Sequence, residues 1–197
     1  MLAAGVLAGV AAMLAVPGVA LAAPAGSPAP SASSPAATAS QIPTGSGEYC
    51  YTVIAKDDPP APTTHVVSQG CSNTSTSAAL SQNGLSASSE APLVTFYENE
   101  DYGGPSDTIY GDNGPCDASG YGIPDLSYTN DWVVNGISSY ETHSSCWGQK
   151  YWSILSGYNP YTTNGLCKTF TNTWQVPYVG AACNDKLYSM FLWDNKE

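Results

Sequence analysis

Tyr97-Glu98-Asn99-Glu100-Asp101-Tyr102-Gly103-Gly104-Pro105-Ser106 is the stretch whose reading decides the fold. It sets an aromatic, four residues, an aromatic, one residue, a glycine, one residue and a serine in fixed order. A strand ending at Tyr97 can fold back here as a tight hairpin, with Tyr102 packed over the corner. Gly104 then supplies the positive φ that such a turn needs. The Ser106 hydroxyl is expected to satisfy a backbone group in the fold.

Two polar clusters downstream share one shape. Cys116 leads to Asn135-Gly136-Ile137-Ser138-Ser139, and Cys167 leads to Asn184-Asp185-Lys186-Leu187-Tyr188-Ser189. Ser138 aligns with Tyr188 and Ser139 with Ser189, which makes the two halves copies of one unit repeated at about 50 residues. Between and around the clusters, short aromatic and β-branched runs alternate with turn residues. Leu93–Tyr97, Thr108–Tyr110, Trp132–Val134, Ile137–Tyr140, Lys150–Leu155, Lys168–Phe170 and Leu187–Trp193 are the runs. Their spacing of roughly 8–12 residues predicts an all-β sandwich or barrel. No segment holds a 3.6-residue apolar period, so long helices are not expected.

Upstream, Glu48–Ala55 and Thr64–Ser68 are dense in strand formers, and Lys56–Pro62 between them is a proline-rich loop. They predict a hairpin whose open ends Cys50 and Cys71 can tie. Residues 72 to 90 form a polar linker with at most one short helix near Ser77 to Ser81. Residues 1–23 are apolar, end in Ala20-Leu21-Ala22, and match a secretory signal peptide. Residues 24–46 are nearly all Ala, Pro, Ser, Thr and Gly, a composition expected to stay disordered. The expected organisation is therefore signal peptide 1–23, linker 24–46, hairpin and linker 47–90, and a β domain over 91–197.

The Tyr97–Ser106 spacing, with the clusters at 134–139 and 184–189, resembles the βγ-crystallins, secreted bacterial members included. The resemblance spans roughly Pro92 to Trp193 and implies a sandwich of two four-stranded Greek-key motifs. The second hairpin, Trp152–Tyr161, lacks the aromatic spacing and is expected to be degenerate. Tyr121–Leu126 would connect into the third strand of the first motif. Family members that look actinobacterial carry a two-cysteine hairpin ahead of the crystallin unit, a pattern that Cys50 and Cys71 fit.

The resemblance also implies a calcium clamp reading Asn/Asp, Asn/Asp, any, any, Ser/Thr, Ser, whose hard oxygen donors suit calcium. In the first cluster Val134 loses the opening position, but Asn135, Gly136 and the hydroxyl of Ser138 are kept. The second cluster opens well with Asn184 and Asp185, yet Lys186 adds a cation and Tyr188 replaces the hydroxyl. Glu98 and Glu100 are the candidate acidic partners. At most one weak calcium site is expected.

Composition limits the remaining classes. A formal net charge of -11, with no arginine, argues against nucleic-acid and anionic-membrane binding. Six cysteines behind a signal sequence point to disulfides in a secreted protein rather than to zinc. Cys50–Cys71, Cys116–Cys146 and Cys167–Cys183 are the expected pairs, among fifteen that are formally open. No nucleophile–base motif occurs, and His143 beside Ser144 and Ser145 looks like plain surface, so the protein is expected not to be an enzyme. A peptidase inhibitor, of the kind related to the Streptomyces metalloproteinase inhibitor fold, is the alternative. Its contact loops would be Asp57–Pro62 and Gly111–Gly122, and its partner an extracellular protease. Five tryptophans and thirteen tyrosines make a carbohydrate-binding module for cell-wall glycans the further alternative. A monomer is expected.

Overall fold

The computed structural model describes residues 48–57, 63–129, 136–153 and 164–195, all within the compact unit Ala39–Glu197. The signal peptide and linker expected over 1–46, the Trp132–Val134 run and most of the second hairpin lie outside those residues. Strands β1 (Tyr49–Lys56) and β2 (Thr64–Ser72) form the expected antiparallel hairpin, with Cys50 opposite Cys71. Val53 pairs with Ser68 but Ile54 with Val66, so Val67 is an extra residue on the edge strand. A bulge there turns Val67 outward, to 53% exposure, and twists an edge that would otherwise template further pairing.

Next comes a short helix, α1 (Thr76–Gln82), started by Ser75, whose hydroxyl accepts from the Ala78 N–H at 3.1 Å. Its buried Ala79 and Leu80 cover Tyr51, Val53 and Tyr110, a small second core on the outer face of the sheet. The other strands are β3 (Ala91–Tyr97), β4 (Ser106–Gly111), β5 (Tyr121–Ile123), β6 (Ser139–Thr142), β7 (Gly148–Trp152), β8 (Leu166–Phe170), β9 (Gln175–Val176) and β10 (Ser189–Trp193).

They make a six-stranded sheet, β2-β1-β4-β3-β6-β9, and a four-stranded sheet, β5-β10-β7-β8. The order resolves into two equivalent units. In the first, β4, β3 and β6 lie side by side while the third strand, β5, crosses to pair with β10. In the second, β8, β7 and β10 lie side by side while the third strand, β9, crosses back to pair with β6. Two Greek-key motifs thus exchange third strands to close one sandwich, which is the βγ-crystallin arrangement. Tyr121–Ile123, expected as a connection, is itself the first motif's crossing strand. The β1–β2 hairpin adds to this sheet through a parallel pairing of β1 with β4.

Period-2 alternation fills the space between the sheets. Val94 and Phe96 of β3 point inward, and Phe96, Tyr140 and Tyr151 meet edge to face at 6.2 and 5.8 Å. Buried phenols need partners, and Tyr151 donates to the Val179 carbonyl at 3.1 Å. Desolvation pushes the Tyr151 phenol up to about 12, so it stays neutral. The three disulfides are Cys50–Cys71, Cys116–Cys146 and Cys167–Cys183, with no free cysteine among the described residues. Such bonds persist in oxidising compartments and are consistent with an extracellular protein.

Candidate functional site

The first hairpin has the expected form. Glu98 N–H donates to the Pro105 carbonyl and Asn99 N–H to the Gly103 carbonyl, both at 3.0 Å. Tyr97 and Tyr102 pack edge to face at 5.7 Å across the corner. Gly104 has φ +80°, and a Cβ there would meet Asn99 Nδ2 at 2.5 Å, so both shape and space call for glycine. The hydroxyl that braces the corner is Ser139's. Fully buried, it donates to the Asn99 carbonyl at 2.6 Å and accepts from the Tyr102 N–H at 3.0 Å. Ser106 is also buried, and its N–H bonds to Glu48 at 2.7 Å. Ser139 closes the first cluster, so the clusters serve the hairpins directly.

The aligned positions Ser138 and Tyr188 occupy equivalent places. Ser138 N–H donates to the end of its own first strand at Tyr97, at 3.0 Å, and Tyr188 N–H to Trp152, at 2.9 Å. Each carbonyl accepts from the segment that crosses over: Ser138 from Val179 at 2.9 Å, Tyr188 from Leu126 at 2.8 Å. The sequence repeat is therefore a structural one.

The clusters also touch. Asp185 N–H donates to the Ile137 carbonyl at 3.2 Å, setting the second cluster's opening against the first cluster's Gly136–Ser138. Asp185 has φ 57° and accepts from Asn184 Nδ2 at 2.7 Å. That bond orients the Asn184 amide and leaves Asn184 Oδ1 buried, with no donor among the described residues. A buried carbonyl oxygen without a donor is a group that a hard cation would satisfy.

Of the other candidates, Glu98 directly succeeds Tyr97 and so stands beside Ser138 through the Tyr97 carbonyl. Glu98, Glu100 and Lys186 are all exposed. Asn135 lies outside the described residues. Among the described residues, no three His, Cys, Asp or Glu side chains gather in a geometry that could hold a metal. Any cation held here would rely on carbonyl and hydroxyl oxygens with one or two carboxylates. The Asn184 oxygen was within reach of sequence reading, since Asn184 opens the better of the two clamps, but its isolation from donors depends on packing.

His143 is half-buried, not plain surface. Its Nε2 lies 3.0 Å from Thr95 Oγ1, and its N–H donates to the Leu93 carbonyl at 2.8 Å. Burial lowers its pKa, with Glu141 opposing, so the ring favours the neutral form.

The class defined by this geometry is a two-motif Greek-key sandwich with paired clusters at the motif junction. A scan of protein-family models matches nothing, and no curated protein matches either. Among solved structures, the chain is similar to a βγ-crystallin domain from Clostridium beijerinckii. The match has 23% identity and TM-score 0.34, covering 52% of this chain and 99% of that one. A double mutant of that domain matches at 24% identity and TM-score 0.34, covering 52% of this chain and 98% of that one.

Proposed function

We propose that this is a secreted, non-enzymatic βγ-crystallin-like protein that binds a single calcium ion weakly where the two clusters meet. The buried, donor-free Asn184 Oδ1 beside Asp185, itself joined to Ile137, carries the reading. Gly136 and Ser138 supply a carbonyl and a hydroxyl, Asp185 and Glu98 the negative charge. Lys186 and Tyr188 weaken the second half, which keeps the affinity low. The neutral His143 bonds to Thr95, whose buried hydroxyl is already tied to Thr108 at 3.0 Å, and this supports a non-enzymatic role.

Extracellular modules of this kind bind with a dissociation constant of roughly 10⁻⁴–10⁻³ M. At 1 mM calcium, a constant of about 10⁻⁴ M stabilises the fold by about 1.4 kcal/mol, or about 3–6 °C in Tm for a domain of this size. Differential scanning calorimetry with calcium and with EDTA measures this. Ser138→Ala should remove most of the shift, and Tyr188→Ser should enlarge it. No shift in wild type or in Tyr188→Ser refutes the calcium reading.

One observation favours a peptidase inhibitor as a second reading. The Gly111–Gly122 loop is braced by Cys116–Cys146, by the Tyr121 hydroxyl on the Gly114 carbonyl at 2.7 Å, and by Lys56 on Asp117 at 2.9 Å. Rigid, pre-organised loops are what such inhibitors present. Inhibition in a panel of secreted proteases would favour it over the first reading.

A further inference from the structure

Three large apolar side chains stand exposed among the described residues: Val67, Trp174 and Tyr178, at 53%, 53% and 41%. Val67 is accounted for by its bulge. The other two sit on one extended segment, the edge of the six-stranded sheet. Trp174 accepts from Thr142 N–H at 2.8 Å, Val176 pairs with Tyr140, and Val179 donates to Ser138 at 2.9 Å. Those partners step from 142 to 140 along β6 and on to 138 just before it, while their mates step from 174 to 176 to 179. One extra residue is therefore taken up at Pro177–Tyr178, the kind of irregularity that re-aims a side chain.

The segment carries two aromatic rings four positions apart, with Gln175, Val176 and Pro177 between them, at most about 13 Å along the chain. Between and before them the exposed residues are Thr171, Asn172, Gln175 and Pro177, none of them charged. Gln175 is held in place, its amide donating to Glu141 at 2.7 Å. Beside Pro177 the surface turns acidic, because Asp101 N–H donates to the Pro177 carbonyl at 3.0 Å and brings in the exposed Glu98, Glu100 and Asp101. The charge is complementary to a cation, and the formal charge of the chain, -11, has the same sign. Two rings in a polar strip offer far less than the roughly 800 Å² per partner of a stable protein interface. They suit a thin, extended ligand whose flat C–H faces stack on aromatic rings and whose ammonium groups meet carboxylates.

We infer that the Trp174–Tyr178 edge, with the acidic hairpin beside it, is a binding strip for a glycan of amino sugars bearing free ammonium groups. The strip stands on the exposed rings and the hairpin charge and does not depend on calcium.

The test uses the purified full chain in EDTA, titrated with soluble glucosamine oligomers and monitored by tryptophan fluorescence. Sedimentation with chitosan, chitin and cellulose runs alongside. Wild type should bind the glucosamine oligomers and chitosan. Trp174→Ala and Tyr178→Ala should each weaken binding roughly tenfold. Both side chains are exposed, so Tm should stay put, and both variants keep the net charge, so adsorption by charge alone would leave them unchanged. Glu98→Gln with Glu100→Gln should also weaken binding and flatten its salt dependence. Equal binding by wild type and both alanine variants overturns the proposal. So does equal affinity for acetylated chitin, which carries no ammonium groups, or tighter binding of polylysine through the same residues, which would make the partner a basic peptide.

Discussion

Replacing Ser139 by alanine should cost more than any other serine substitution in the first motif. Its hydroxyl is fully buried and makes two bonds, to the Asn99 carbonyl at 2.6 Å and from the Tyr102 N–H at 3.0 Å. The side chain of alanine fits the space, so almost no packing is lost. Instead a backbone acceptor and donor of the hairpin lose their shared partner. Each typical bond contributes about 0.5–1.5 kcal/mol net, and a buried group left unsatisfied costs about 1–3 kcal/mol. Partial entry of water at the half-buried corner brings the sum to about 2–4 kcal/mol. In a domain of about 150 residues that corresponds to a fall in Tm of about 6–12 °C. Urea unfolding monitored by tryptophan fluorescence would measure it, with Ser81→Ala as the control. Ser81 also makes a hydrogen bond, at 2.8 Å to Ser77, but it is exposed, so its loss should stay within about 0.5 kcal/mol. If Ser139→Ala costs no more than Ser81→Ala, the hydroxyl does not brace the hairpin and the first cluster has no structural duty there.

Gly120→Ala should destabilise more than Gly104→Ala. Both residues have positive φ, which costs a non-glycine residue about 1–2 kcal/mol. At Gly120 the new methyl would also meet the Leu192 carbonyl and the Phe191 ring at 2.5 Å, whereas at Gly104 it meets the movable end of Asn99. Chemical denaturation gives the order, and equal costs would discount the contact with β10. His143 gives a pH dependence of known sign. Its folded pKa lies below the unfolded value near 6.5, so the unfolded chain takes up the proton first and native stability falls as pH drops below about 6.5. Comparing Tm from pH 7.5 to 5 in wild type and His143→Gln isolates that effect from the general loss of negative charge. Parallel curves would show that the ring titrates as if free.

What was legible in the sequence was local. The Tyr97–Ser106 spacing specified a hairpin because its turn needs a glycine at one backbone position and a ring at another, and both needs are written within ten residues. The β1–β2 hairpin, the short helix and the three neighbouring cysteine pairs were readable for the same reason. Contacts between distant segments were not. β5 is three residues long, one of them glycine, and becomes a strand only because Met190–Leu192 lies beside it. Ser139 reaches the hairpin corner from another strand, a contact that nothing within Tyr97–Ser106 specifies. The burial of Asn184 Oδ1 likewise depends on packing between the motifs, which residue identity alone does not specify.

The parallel pairing of β1 with β4 has a bearing on how the molecule is assembled. Cys50 and Cys71 are 21 residues apart and can be joined while the hairpin is still alone. Tyr49 meets Ser106 in a pairing far less local than either hairpin, so the entropy of loop closure favours its forming after them. Until then β4, buried along its whole length in the finished protein, presents an open edge of unpaired amides. The hairpin thus behaves as a tethered strand that occupies this edge within the same chain before another chain can. A chain cut back to the two-motif sandwich alone, from Ala91 onward, would keep both motifs yet leave that edge exposed, and self-association is the expected result.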